Sequence, residues 1–306
     1  MEESKAQPVW QASRSLFGKR GSPTLRTFTL ASRAGPWPGH RHQWASVTHT
    51  FICITLFFGT KMSRHLDRIS QHSFICSALS PDSIVFDFGA NQGEFSLNII
   101  EKYGCRVFAA EPVLALCDSM RRHERLSLHR IAIGKNGEIV DLIVNDDDVL
   151  SSTVLDHDVA ESVLGTSNSL RTITETCLDL AAFRELNGID HVDLVKVDIE
   201  GAELDLFETT SDHALRSCGQ LTVEFHDYWY PDLATRTERA KQRLCDLGFR
   251  MIRFTPNNKD IVFVNPEIIR LSFLDWQYLE KVSRHLNYCG RGARVMANRL
   301  FRKRAA

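Results

Sequence analysis

Short, continuous apolar runs alternate with amphipathic stretches along most of the chain. Ser83-Ile-Val-Phe-Asp-Phe88 is closed by Gly89-Ala-Asn-Gln-Gly93, and the stretch after it, Glu94 to Tyr103, puts Phe95, Ile99 and Tyr103 on one helical face before Gly104. A run too short for a helix and bounded by glycine predicts a strand buried on both faces, and the spacing of four predicts a helix lying on it. The pattern recurs: Arg106–Glu111 as strand ended by Pro112, Val113–His123 as helix, Leu126–Ile133 as strand. It resumes later with Val192–Val197 (strand), Ala202–Thr209 (helix), Leu221–Phe225 (strand) and Arg236–Leu247 (helix). Phe249–Phe254 and Ile261–Val264 flank Pro256-Asn-Asn-Lys259 and predict an antiparallel hairpin closing the sheet. Such alternation with short connections predicts an α/β fold, a mostly parallel sheet with helices on both faces.

Other stretches are less regular. Between Gly134 and Thr176 only Ile139–Val144 reads as a strand, and Ser151–Ser169 is polar and reads as a surface loop or lid. Cys177–Leu186 is expected to be helical, ended by Gly188, and Ile268–Leu286 to be a long amphipathic helix. Residues 1–61 mix Ser, Thr, Pro and Gly with isolated tryptophans and keep no period. Their one apolar run, Phe51 to Gly59, falls well short of the roughly 20 residues a spanning helix needs. This leader reads either as an extension ahead of a start at Met62 or as an Arg- and Ser-rich organelle transit peptide. The expected organisation is a weakly ordered leader at 1–61, one domain at 62–288 and a basic tail at 289–306.

At 43% hydrophobic and 25% charged residues the chain has the composition of a globular protein, which excludes collagen-like and wholly disordered classes. The 37 Lys and Arg nearly balance the 38 Asp and Glu, but both ends are basic and the body between them is acidic. The tail carries Arg291, Arg294, Arg299, Arg302, Lys303 and Arg304, enough for weak contact with an acidic membrane surface, while no specific nucleic-acid partner is expected. Eight scattered cysteines without a C-x-x-C pair predict reduced thiols and a cytoplasmic setting, unless the leader directs the chain to an organelle.

Three motifs carry chemistry. Asp87-Phe-Gly-Ala-Asn-Gln-Gly93 is a glycine-rich strand-to-helix turn, which lets backbone approach a ligand and presents the free N–H groups of a helix start. Its glycines, four apart, do not make the G-x-G-x-x-G of a dinucleotide site. Glu111 ends the next strand, where a carboxylate accepts both hydroxyls of a ribose. Lys196-Val-Asp-Ile-Glu-Gly-Ala-Glu203 ends a strand in Asp198, Glu200 and Glu203, at the sheet edge where open α/β folds bind ligands. Lys196 lies within that strand and reads either as part of this site or as the structural partner of a neighbouring acid. Leu221-Thr-Val-Glu-Phe-His226 places Glu224 and His226 on one side of a strand end, where a histidine can take a proton from a substrate hydroxyl.

Taken together, Asp87–Gly93, Glu111-Pro112, Lys196–Glu203 and Glu224–His226 resemble the FkbM family of S-adenosylmethionine-dependent methyltransferases, over about Ile84 to Pro266. The resemblance implies a three-layer, Rossmann-like class I methyltransferase fold with a seven-stranded sheet whose C-terminal strand is antiparallel. It implies S-adenosyl-L-methionine as cofactor, with Asp87, Gly89, Ala90, Asn91, Gly93 and Glu111 around it. Asp198, Glu200 and His226 would face methyl donor and acceptor, His226 being the candidate base and Asp198 the second. The implied acceptor is a hydroxyl on a small molecule, sugar or glycan, and no metal ion is expected. Two alternatives stay open: a methyltransferase-like nucleotide-binding module without turnover, and a NAD-dependent oxidoreductase.

Overall fold

The computed structural model describes residues 65–145, 152–153, 170–228 and 231–280. The leader, most of the polar loop at 151–169 and the basic tail lie outside the described residues.

In chain order the elements are β1 (Leu66–Ile69), β2 (His72–Ile75), β3 (Ile84–Phe88), α1 (Glu94–Tyr103), β4 (Arg106–Ala110), α2 (Leu114–Ser119), β5 (Leu126–His129), β6 (Ala132–Ile133) and β7 (Ile139–Asn145). They continue with β8 (Ser152–Thr153), β9 (Leu170–Leu178), α3 (Leu180–Asn187), β10 (Val192–Val197), α4 (Glu203–Thr209) and α5 (Asp212–Arg216). The last are β11 (Cys218–Val223), α6 (Ala234–Asp246), β12 (Arg250–Arg253) and β13 (Ile261–Val264). Seven strands form the central sheet in the order β12-β13-β11-β10-β3-β4-β5. β3, β4, β5, β10 and β11 run parallel, and β13 is antiparallel to both of its neighbours. This is the mostly parallel α/β sheet with an antiparallel C-terminal strand that the sequence leads one to expect.

Alternation along the strands sorts the core into two layers. Phe86, Phe88, Phe108, Val195 and Val197 point to one face and pack against Phe183 of α3, Phe207 of α4, Leu215 of α5 and Leu244 of α6. Val85, Val107, Ala109 and Leu194 point to the other, against Phe95, Ile99 and Ile100 of α1 and Phe74 of β2. Because both faces are covered, a strand here needs apolar residues at successive positions, and a polar residue stands out. Asp87 and Lys196, paired across the β3–β10 register, are two such residues on the second face.

Several expected elements take different bounds. The helix expected at Cys177–Leu186 starts at Leu180, capped by the Asp179 carboxylate accepting from the Ala182 N–H at 2.8 Å. Cys177 instead lies in β9, whose Thr- and Ile-rich alternation pairs with β7 in a second sheet, β6-β9-β7-β8. The strand expected over Leu126–Ile133 is broken into β5 and β6, and the helix expected over Val113–His123 ends at Ser119. The C-terminal helix, expected from Ile268, starts at residue 273: Ser272 and Asp275 exchange side-chain-to-backbone hydrogen bonds and cap it there. Ahead of the sheet, β1 and β2 form a hairpin tied to it by Ser73 on Asp260 and by the Ile75 N–H on Gln220 Oε1.

Candidate active site

The carboxyl ends of β3, β4, β10 and β11 lie side by side, and backbone hydrogen bonds continue past the strand ends to fix the turns that leave them. The N–H groups of Gly89 and Ala90 donate to Ala110 O, that of Asp198 to Phe88 O, and that of Glu224 to Val197 O. A cleft holding about 610 Å³ of empty space, part of it open to solvent, runs along this edge. Gly89, Asn91, Glu111, Asp198 and Glu200 supply its polar wall, and Ile131, Ile133, Val140 and Leu142 its apolar one.

Gly89 has φ +74°, and a Cβ there would sit 1.8 Å from the Asp198 carbonyl oxygen. The two loops touch at this point only because residue 89 lacks a side chain. The Glu111 carboxyl, 3% exposed, accepts the Asn91 N–H at 2.8 Å on one oxygen and the Val113 N–H at 2.9 Å on the other. Burial raises its pKa against the pull of those two donors. Asp87 is fully buried: Ser96 donates to one oxygen at 2.6 Å, and Lys196 Nζ lies 3.1 Å from the other. Lys196 also donates to Gly89 O at 2.6 Å and stands 3.6 Å from Asp198, so it ties the glycine turn to the acidic one. Both sequence readings of Lys196 therefore meet in one residue: it pairs with Asp87 and reaches the site.

Beside the Asp198–Glu200 side of the cleft is a knot of charge. His226, 3% exposed, donates through Nδ1 to Glu203 Oε1 at 2.8 Å. Its Nε2 faces Glu200 Oε2 at 3.3 Å, Asp198 Oδ1 at 3.8 Å and Glu224 Oε1 at 3.8 Å. Burial disfavours the imidazolium, but Glu203, Glu200 and Asp198 outweigh it and push the His226 pKa up to about 10. Burial, with Asp198, Glu203 and Glu224 beside it, lifts Glu200 to about 7 against the opposite pull of His226. Asp198 moves the other way: although burial opposes its charge, Lys196, His72 and His226 hold it well below the usual carboxylate range. Glu200 keeps its place in this knot with φ +53°, a left-handed backbone that few non-glycine residues adopt.

Of the residues singled out from sequence, Gly89, Asn91, Glu111, Asp198 and Glu200 line the cleft. His226 stands behind the two carboxylates. Asp87, Ala90 and Gly93 support the glycine turn from beneath, Gly93 packing on Met120. His72 of β2 is an addition that the sequence motifs do not contain: it is 1% exposed and its Nε2 meets Asp198 Oδ2 at 3.2 Å. No motif marks it, because it arrives from a hairpin ahead of the alternating pattern. Glu203, in sequence only one acid of a run, is buried and also accepts the Ile199 and Gly201 N–H groups.

Residues 87–251, more than half of the chain, match the family described as Methyltransferase FkbM domain, and the chain belongs to that family. No curated protein matches it in sequence. Among solved structures it is similar to a precorrin-6y C5,15-methyltransferase from Geobacter metallireducens, at 13% identity over 61% of this chain and 81% of that one, TM-score 0.33. It is also similar to fibrillarin from Aeropyrum pernix, solved with natively bound S-adenosyl-L-methionine, at 10% identity over 61% and 66% of the two chains, TM-score 0.31. A Methanococcus jannaschii fibrillarin aligns at 10% identity over 65% and 81%, TM-score 0.35. The protein is thus a methyltransferase by family, and S-adenosylmethionine is the cofactor that goes with that family. Family membership sets the nicotinamide alternative aside. The residues present suit the cofactor: a turn with no room for a side chain at Gly89, a buried carboxylate at Glu111 and an apolar wall opposite.

Proposed function

We propose that this protein is an O-methyltransferase that transfers a methyl group from S-adenosylmethionine to a hydroxyl of a small, polyhydroxylated acceptor such as a sugar. The observation that carries the reading is the acidic end of the cleft, where Asp198, Glu200, Glu224 and His226 stand together beside the glycine turn. Such a wall accepts hydrogen bonds from hydroxyl groups, and its negative field disfavours the phosphates of a nucleic acid.

In this reading Gly89 and Asn91 lie along the amino-acid part of the cofactor, Glu111 takes the ribose hydroxyls, and Ile131, Ile133 and Leu142 border the adenine. Asp87 has both oxygens committed within the protein, and acts by holding the turn rather than by touching the ligand. The cofactor supplies an activated methyl group. The protein's part is to hold the acceptor oxygen in line with it and to let the hydroxyl proton depart toward the Asp198–Glu200–His226 cluster. The test is calorimetric titration of the full chain with S-adenosylmethionine, followed by a screen of hydroxylated acceptors for release of S-adenosylhomocysteine. Binding that is weakened by Glu111→Ala, together with turnover on a polyol, is the expected result. Binding without turnover on any hydroxyl acceptor would leave a nucleotide-binding module, and turnover on RNA or protein would replace the acceptor named here.

A further inference from the structure

We propose that Asp198 Oδ1, Glu200 Oε2 and His226 Nε2 form a site for one divalent cation at the acidic end of the cleft, with Glu224 alongside. One ligand atom from each of the three residues lies within 4.8 Å of the other two. Around an ion with bonds of about 2.1 Å, neighbouring ligand atoms stand about 3 to 3.6 Å apart. The 3.3 Å from His226 Nε2 to Glu200 fits that spacing, and the 3.8 Å to Asp198 needs only a small contraction.

The stronger argument is what holds each ligand from behind. In protein metal sites the far atom of a ligating histidine or carboxylate is itself hydrogen bonded, which fixes the tautomer and aims the near atom. His226 turns Nδ1 to Glu203, whose carboxylate is 2% exposed and anchored by two backbone N–H groups, so Nε2 is the nitrogen turned toward Asp198 and Glu200. Asp198 has Oδ2 engaged by His72 and Lys196, which leaves Oδ1 on the His226 side. His72 is itself 1% exposed, and its Nδ1 has no hydrogen-bond partner among the described residues. These supports come from β2, from β10 and from α4, so the arrangement is assembled by the fold rather than by one acidic loop. Oxygen and imidazole ligands without thiolate suit Mn²⁺, Fe²⁺, Mg²⁺ or Zn²⁺.

An ion held by three protein groups keeps positions open for an acceptor hydroxyl and a second oxygen close to it. That use rests on the methyltransferase reading; the binding of the ion does not. The test is titration of the full chain with Mn²⁺, read by loss of the free-ion electron paramagnetic resonance signal, with Zn²⁺ measured in parallel by competition against a chromophoric chelator. S-adenosylmethionine affinity and circular dichroism are recorded on the same samples. One ion per chain is expected, with affinity at least tenfold weaker in Glu200→Gln and in Asp198→Asn. Glu203→Gln should weaken it about 10- to 100-fold without touching the ion. Absence of binding of either metal to the wild type overturns the site, as does undiminished binding in the folded Glu200→Gln, Asp198→Asn double variant. Cation binding without cofactor binding would instead sink the methyltransferase assignment of the cleft and leave the cation site standing.

Discussion

At the scale of the residue, the site depends on one glycine and one carboxylate that no near relative in chemistry replaces. A side chain at position 89 would have to adopt φ +74° and would drive its Cβ into the Asp198 carbonyl, a backbone atom with nowhere to move. The left-handed backbone alone costs about 1–2 kcal/mol for an L residue. With the clash added, Gly89→Ala is expected to lose at least about 2 kcal/mol of stability by urea denaturation, together with cofactor binding. A variant that melts like wild type and binds normally would mean that the β3 and β10 turns do not touch. Glu111 carries a second expectation. As an ionised carboxylate it accepts two backbone N–H groups and has lone pairs left for ribose; once protonated, one oxygen becomes a donor. Burial raises its pKa, so cofactor affinity should fall with decreasing pH starting above the ordinary carboxylate range. Glu111→Gln, which cannot titrate, should bind more weakly and lack that component. Parallel pH profiles for the two proteins would remove Glu111 from the cofactor site.

At the scale of the element, the sequence is legible wherever local pattern suffices to determine structure. β3, β10 and α1 lie where expected within a residue or two, because strands buried on both faces must be apolar throughout and the glycines at 89 and 104 mark the ends of the turn and helix. The acids and the histidine at the ends of β10 and β11 are visible for the same reason, since each interrupts an apolar run. β9 is not legible: its burial alternates, with Thr172, Thr174 and Thr176 exposed between Ile173, Glu175 and Cys177, and such a strand is set by its partner β7 rather than by its own hydrophobicity. The hairpin of β1 and β2, and with it His72, escapes notice because four-residue strands carry too few positions to show a period. The start of α3 has a signal in Asp179, a good N-cap two residues past the apolar Cys177. Its carboxylate accepts from the Ala182 N–H, so Asp179→Ala should cost about 1 kcal/mol, and Asp179→Asn or Asp179→Ser much less. Chemical denaturation of the three variants checks it, and an Asn variant as damaged as Ala would assign the effect to charge instead of capping.

At the scale of the whole molecule, the stretch that matches the family, 87–251, is shorter than the sheet it belongs to. It ends inside β12 and omits β13, whose four residues Ile261, Val262, Phe263 and Val264 are fully buried between β11 and β12. It omits β2 as well, where Phe74 and Ile75 are fully buried, and where Ser73 satisfies Asp260 while Gln220 is satisfied by Ile75 through both its amide oxygen and its amide nitrogen. Removing these pieces would expose the edge of β11, strand surface that is prone to pair with other chains. It would also delete the whole cluster of Ile75, Ile252, Phe254, Val262, Val264, Trp276 and Leu279 and leave the buried amide of Gln220 without its Ile75 partner. Burial of one large apolar side chain is worth about 1.5–3 kcal/mol, and a domain's net stability is only about 5–15 kcal/mol, so losing several at once exceeds the margin. A fragment of residues 87–251 is therefore expected to aggregate or to lack near-ultraviolet circular dichroism and a cooperative melt. One spanning 65–280 should keep both and bind S-adenosylmethionine. Cooperative melting of the shorter piece would show that the hairpin and β13 merely decorate the sheet, and would take from His72 its structural means of reaching Asp198.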